Sequence, residues 1–287
     1  MSAIPGAARV RLRDISGPSA IGGGARRFLD LLWLIASTSF RLTYHGTILG
    51  FVWSLIRPLL LFGILLAVFT QVFRLGDSVP HYAALLLLNV MLFGLFQEST
   101  TEAVQSVLNN EALVRKMQFP RLVIPLSVVL TKTIQFALNS VVVIAIIVAT
   151  GVDPVWTWLL FPILIGVLLT LTTAVSMLLS ASYVRLRDVA IIWTVFASVL
   201  FYATPVLYTI DFPGLPTVMH DLISINPLTP IFNQAREWII DPDAPGAVEA
   251  VNGNELLLVI PALLFVGICA LGVWVFNREA PRVAEEL

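Results

Sequence analysis

The chain has 287 residues, of which 58% are hydrophobic and only 12% charged, and its formal net charge is −1. With a mean hydropathy of +0.91, this balance excludes an ordinary soluble domain and points to a polytopic membrane protein. With no basic stripe outside the membrane-flanking positions, a nucleic-acid partner is excluded as well.

A hydrocarbon core about 30 Å thick requires roughly 20 apolar residues per helix. Six stretches qualify: Ile48–Phe73, Tyr82–Ser99, Leu122–Thr150, Val155–Tyr183, Val189–Tyr208 and Leu256–Phe276. The expected fold is an all-α bundle of six transmembrane helices. With the N-terminus in the cytoplasm, 14 of the 17 lysines and arginines fall in cytoplasmic segments. Arg74 and Arg236 lie outside and Lys132 within a span. So one-sided a distribution places both termini in the cytoplasm by the positive-inside rule.

Residues 1–25 contain Gly22-Gly23-Gly24 and begin without an apolar run, which predicts a flexible cytoplasmic segment and no cleavable signal. Residues 26–45 predict an amphipathic helix. Advancing about 100° per residue gathers Arg27, Asp30, Ser37, Thr38 and Arg41 in one sector, while Phe28, Leu31, Leu32, Trp33, Ile35 and Phe40 occupy the rest. Its apolar run is too short to cross, so the helix lies in the membrane interface or packs on the bundle. Residues 46–287 are expected to form a single six-span transmembrane domain.

The first span carries Phe51, Phe62, Phe69 and Phe73, whose spacing brings them within about 40° of one another on a helix. Such a stripe faces lipid, a neighbouring helix or a passage; Trp193 and Phe196 of the fifth span are placed to face the same passage. The second span is interrupted by Asn89, Gln97 and Glu98. Glu98 and Glu102 lie one turn apart near its cytoplasmic end, and the third span sets Lys132, Gln135 and Asn139 on one face. Ionised groups in hydrocarbon cost several kcal/mol unless paired. Lys132 is therefore expected to meet Glu98 or Glu102, as a structural ion pair or as part of a proton relay.

Between the second and third spans runs a short charged segment, Asn109-Asn110-Glu111-Ala112-Leu113-Val114-Arg115-Lys116-Met117-Gln118-Phe119-Pro120-Arg121. A chain with little mass outside the bilayer receives mechanical work through such a protrusion. The sizeable external region is Thr209–Asn254, where Pro227 and Pro230 suit helix starts. Its segments are too apolar for free loops and too short to span, which predicts short re-entrant helices. Asp241 and Asp243 read as a solvated turn. The lone Cys269 reads as a packing residue.

No catalytic or metal site is expected. The only lysines, Lys116 and Lys132, follow Arg115 and Thr131, so no phosphate-cradling Gly-Lys-Ser/Thr loop exists. His45, His81 and His220 are too scattered for a local metal motif.

The segment Tyr44-His45-Gly46-Thr47-Ile48-Leu49-Gly50-Phe51-Val52-Trp53-Ser54-Leu55-Ile56-Arg57-Pro58-Leu59-Leu60 resembles the first-span signature of ABC-2 type permeases, especially polysaccharide and teichoic-acid exporters. Leu113–Arg121, Arg185-Leu186-Arg187-Asp188 and Asn226-Pro227-Leu228-Thr229-Pro230 resemble further family motifs, in the family's order. The resemblance implies a homodimer with two copies of a separate ATP-binding subunit that holds ATP and magnesium, located in the bacterial inner membrane. It implies a polyprenyl-linked glycan cargo: O-antigen-like, teichoic-type or cell-wall galactan. It makes Glu111, Leu113, Arg115, Lys116, Met117, Phe119, Pro120 and Arg121 a coupling helix that docks on the ATPase. It also makes the amphipathic helix, with Arg27, Trp33 and Arg41, a gate near the lipid headgroups, and the phenylalanine stripe a sugar-stacking surface. The alternative is an ion-coupled secondary transporter or channel, for which paired broken helices in two halves are not found.

Overall fold

The computed structural model describes residues 24–44, 50–74, 79–110, 120–211, 216–251 and 256–279. Among the described residues the chain is helical and has no strand. Helix α1 (Ala25–Tyr44) precedes α2 (Gly50–Gln71) and α3 (Tyr82–Val104); a single turn, α4 (Ser106–Asn109), closes the first part. Then come α5 (Val123–Ala149), α6 (Phe161–Arg185) and α7 (Val189–Ala203). Two short helices, α8 (Thr217–Ile225) and α9 (Thr229–Ile239), lead to α10 (Leu256–Glu279). The chain direction puts the first residues of α2, α5 and α7 at one end of the bundle, with the last residues of α3, α6 and α10. We call this the α1 end; α8 and α9 cap the opposite end.

Among the described residues, five helices are long and apolar enough to cross a membrane. The fifth expected span differs. Residues 189–208 were predicted as one span, but α7 stops at Ala203 after 15 residues, a length of about 22 Å. Pro205 is the reason: it disfavours helical backbone at Thr204, which is extended at φ −100° and ψ 144°. The residues that follow run irregularly through the buried interior, and their backbone is satisfied by side chains of α3. Asn89 Nδ2 donates to the carbonyls of Pro205 at 3.0 Å and Val206 at 3.3 Å, and Tyr82 Oη donates to Leu207 O at 2.7 Å. Non-helical backbone at this depth survives only with such partners.

The core is centred on α3. Its apolar residues surround the axis, and Leu85, Leu86, Leu87, Leu92, Phe93 and Phe96 are buried among α2, α5, α6 and α7. A helix that is apolar all round belongs inside a bundle. The span whose polar residues interrupt it in sequence is thus the central one, and it runs beyond Ser99 to Val104. In contrast, α2 has no buried residue over its hydrophobic window. Helix α10 lies against α6 at Gly272, where an added Cβ would stand 2.5 Å from Ala174 O. The absent side chain allows this backbone approach.

At the far end, a short 3-10 turn, Trp156–Leu160, precedes Pro162 in the first turn of α6, where its missing N–H costs nothing. Thr157 Oγ1 donates to Trp238 O at 2.6 Å and Trp158 Nε1 to Ile239 O at 3.1 Å. These bonds satisfy terminal carbonyls of α9 and tie that helix to the head of α6.

Candidate functional site

Polar groups within the spans gather at the α1 end. Lys132 Nζ lies 2.8 Å from Glu102 Oε2 and 3.5 Å from Glu98 Oε2. The structure therefore brings one ammonium against both carboxylates rather than one of them. Glu98 and Glu102 share a face because α3 continues as helix through both, and Lys132 reaches them from α5.

Two turns further along α5, Asn139 performs a different task. Pro58 lies inside α2, and a proline removes the hydrogen bond to the carbonyl four residues earlier. That carbonyl belongs to Ser54, and Asn139 Nδ2 donates to it at 3.3 Å; Ser54 Oγ donates in return to Asn139 Oδ1 at 3.4 Å. The exchange fastens α2 to α5 at the proline. Gln135 lies between Lys132 and Asn139 and is half-buried.

The aromatic residues of the first span divide. The Phe51 side chain lies outside the described residues. Phe62 and Phe69 are half-buried and pack against the core. Phe73 is not on the helix, which ends at Gln71; it sits in the following turn, 62% exposed. It nevertheless stacks on Phe69, with ring centroids 5.2 Å apart and planes inclined by 24°. Trp193 is buried between α7 and α3, where its Nε1 donates to Thr100 Oγ1 at 3.2 Å. Its ring meets Phe96 on one side and the exposed Phe196 on the other. Phe196 stays open to the surroundings; Trp193 does not.

Helix α1 packs on α5 through Ala36, which is fully buried and whose carbonyl accepts from Thr131 Oγ1 at 3.3 Å. Leu29, Trp33, Leu34 and Leu42 are exposed, as are Arg27 and Arg41. The helix thus packs along α5, closest at a small residue, touches α2, and leaves a broad apolar side exposed. Of the expected coupling segment, Glu111, Leu113, Arg115, Lys116, Met117 and Phe119 lie outside the described residues. Pro120 and Arg121 are described, and Pro120 O accepts from Val123 N at the head of α5.

At the opposite end, Arg236 of α9 is buried and donates to Asp211 Oδ1 at 2.7 Å. Burial works against a charged Asp211, but the hydrogen bond and charge of Arg236, with a hydrogen bond from Thr209, outweigh it. The carboxyl is held below its usual range. The sequence reading missed this pair, the role of Asn89 and the Ser54–Asn139 exchange. A polar residue in an apolar run was the signal for the last two; nothing local signals the first. No group of three metal-ligating side chains occurs among the described residues.

Residues 30–240 match the family model described as ABC-2 type transporter. The chain belongs to the ABC-2 type transporter family. Among the relatives of this ABC-2 family member are two O-antigen export system permease proteins RfbA of Klebsiella pneumoniae, 29% and 28% identical. Each match covers 90% of this chain and 95% of the relative. The RfbA protein of Myxococcus xanthus is 26% identical over 77% of this chain and 84% of its own length. The family match runs from within α1 to the end of α9, and so takes in both ends of the bundle described above.

Proposed function

We propose that the chain is the transmembrane permease subunit of an ATP-driven exporter. It moves a polyprenyl-linked polysaccharide from the cytoplasmic side across the bacterial inner membrane. The reading rests on one observation: relatives named as O-antigen export permeases align with nine-tenths of the chain and nearly all of their own length. Two copies of the permease work with two copies of an ATP-binding subunit, which holds ATP and magnesium. The α1 end faces the cytoplasm, in keeping with the lysine and arginine distribution.

Coupling passes through the segment from Glu111 to Arg121. Leu113 and Met117, four residues apart, supply an apolar key, and Arg115 and Lys116 supply charge for an acidic rim. Phe119-Pro120 ends the segment and sets the direction of α5. The amphipathic α1, with Arg27, Trp33 and Arg41, meets the lipid headgroup of the cargo. The aromatic surface of Phe51, Phe62, Phe69 and Phe73, with Phe196, holds sugar rings in transit; the buried Trp193 backs Phe196.

The test is co-expression with the ATP-binding subunit, followed by co-purification, ATPase assay and polymer export. The expected result is a stable complex that exports polymer, and loss of assembly or of coupled export in Arg115→Glu/Lys116→Glu. Full assembly and export by that variant removes the docking assignment. Ion-gradient-driven transport by the isolated chain removes the whole reading.

A further inference from the structure

An open groove of about 600 Å³ runs over α3 between α2 and α7 at the α1 end. It lies between the two helices that carry the aromatic residues assigned to transit, and forms the α1-end part of the same passage. Its fixed charges bear on the cargo. Arg57, Glu98, Glu102 and Lys132 line it, two cations against two anions. The Lys132 side chain is only 16% exposed, whereas the carboxylates it serves are 44% and 54% exposed. The wall of α3 therefore presents carboxylate oxygens to the groove, beside the amide of Gln97 and the hydroxyl of Thr101. These groups accept hydrogen bonds from sugar hydroxyls and repel anions.

Deeper in, charge disappears. From Pro58 to Gln71 of α2, about 20 Å of helix, no side chain is charged at neutral pH, and α7 has none from Val189 to Ala203. On α3 the groove continues past Gln97 to Phe93 and Val90, and Tyr82 to Gln97 is equally free of charge. The exposed residues of α2 and α7 here include Leu61, Ile64 and Val68, with Val195, Phe196 and Val199. Passages for anions and phosphates carry arginine or lysine along their walls, because an anion among apolar groups without a counter-charge is costly. The opposite end adds repulsion. Arg236 is buried and taken up by Asp211. Among the described residues, Asp153, Asp221, Asp243 and Glu249 are exposed at that end, against the exposed Arg74.

We propose that the repeating unit of the exported glycan is uncharged, so that phosphodiester-linked and uronate-bearing polymers are poor cargo. The inference rests on the export reading and narrows its substrate class. A polyanion would meet carboxylates on entry, no counter-charge in transit and an acidic face on exit. A neutral, hydroxyl-rich chain finds hydrogen-bond acceptors at the entrance and apolar and aromatic surfaces beyond it. The diphosphate of the polyprenyl anchor crosses once per polymer, whereas a charged repeat would meet the uncharged stretch at every unit.

The test uses the full chain with its ATP-binding subunit in proteoliposomes and measures export of three polymers of equal length on one polyprenyl diphosphate anchor. One is a neutral hexose polymer, the second has a hexuronate in each repeat, and the third is the methyl ester of the second. The neutral polymer and the ester should be exported roughly ten-fold or more faster than the free acid. Leu61→Lys sets a cation in the uncharged stretch of the groove wall and should raise export of the acid relative to the neutral polymer at least five-fold. Leu61→Glu should not. Export of the acid as fast as the neutral polymer overturns the inference and leaves the export reading standing. So does refusal of the ester together with the acid, which would mean that shape and not charge is selected, or an equal gain from lysine and glutamate at position 61. If a complex that hydrolyses ATP exports none of the three, the export reading fails and this inference falls with it.

Discussion

Asn139 shows how one side chain can decide the position of a whole helix. Pro58 has no N–H to offer the Ser54 carbonyl, and the Asn139 amide donates to it from α5. Leaving a buried carbonyl unpaired costs about 1–3 kcal/mol. Because α2 buries so little else, that loss falls on the contact between α2 and α5. Asn139→Leu is therefore expected to lower the melting temperature of the detergent-solubilised protein and to increase the accessibility of single cysteines introduced along α2. Combining it with Pro58→Ala, which restores the internal hydrogen bond, should recover part of the loss. A double variant no more stable than the single one would show that the carbonyl is not what Asn139 serves.

At the scale of elements, close approach and ion pairing hold the outer parts of the bundle. Gly272→Ala places a methyl group against the Ala174 backbone, which cannot turn aside as a side chain could. Separating α10 from α6 in this way should destabilise the protein by about 1–3 kcal/mol, measured by thermal unfolding. Gly267→Ala on the same helix meets nothing within 4 Å and should be silent. The other end responds to pH. The Asp211 carboxyl is lowered from 3.8 in the fold, so the folded state holds its proton less tightly than the unfolded chain. Its contribution is present above the ordinary carboxylate value and fades as pH falls through the lower folded one. Acid should accordingly loosen α9, and Asp211→Asn should remove that acid-sensitive part of the unfolding profile. An unchanged pH profile in Asp211→Asn would dissociate the pair from the stability of this end.

The same elements show where the sequence is legible. Long apolar runs announce five helices because length and hydropathy alone determine them, and the short α8 and α9 stand between prolines that suit helix starts. The end of α7 was written in Pro205, yet hydropathy ran on through Val206 and Leu207 and hid it. The carbonyls left by that break could not be assigned to Asn89 from sequence, since their partner lies more than 100 residues away. The Lys132 cluster was accessible because an isolated charge in a span demands a partner and few candidates existed. Trp193 was misleading: a helical wheel reports a face, and which neighbour covers that face is decided by packing.

For the molecule as a whole, the transit role proposed for the aromatic residues of α2 can be separated from their role in packing. Phe62 and Phe69 are half-buried against the core, so truncation to alanine removes packing as well as a π-face. Leucine retains much of the volume and loses only the face. Aromatic contacts beyond area burial contribute about 0.5–1.5 kcal/mol, so each lost sugar contact should slow export by roughly two- to ten-fold. Phe62→Leu and Phe69→Leu are therefore expected to lower polymer export in the complex with the ATP-binding subunit, with melting temperature and basal ATP hydrolysis held near wild type. Phe73, stacked on Phe69 but beyond the helix end, provides the sharper comparison, because its ring is mostly exposed and contributes little to the core. Phe73→Leu should reduce export as Phe69→Leu does if the stacked pair presents one surface to the glycan. If Phe73→Leu leaves export intact while Phe69→Leu lowers export and melting temperature together, the pair is packing and the passage runs elsewhere.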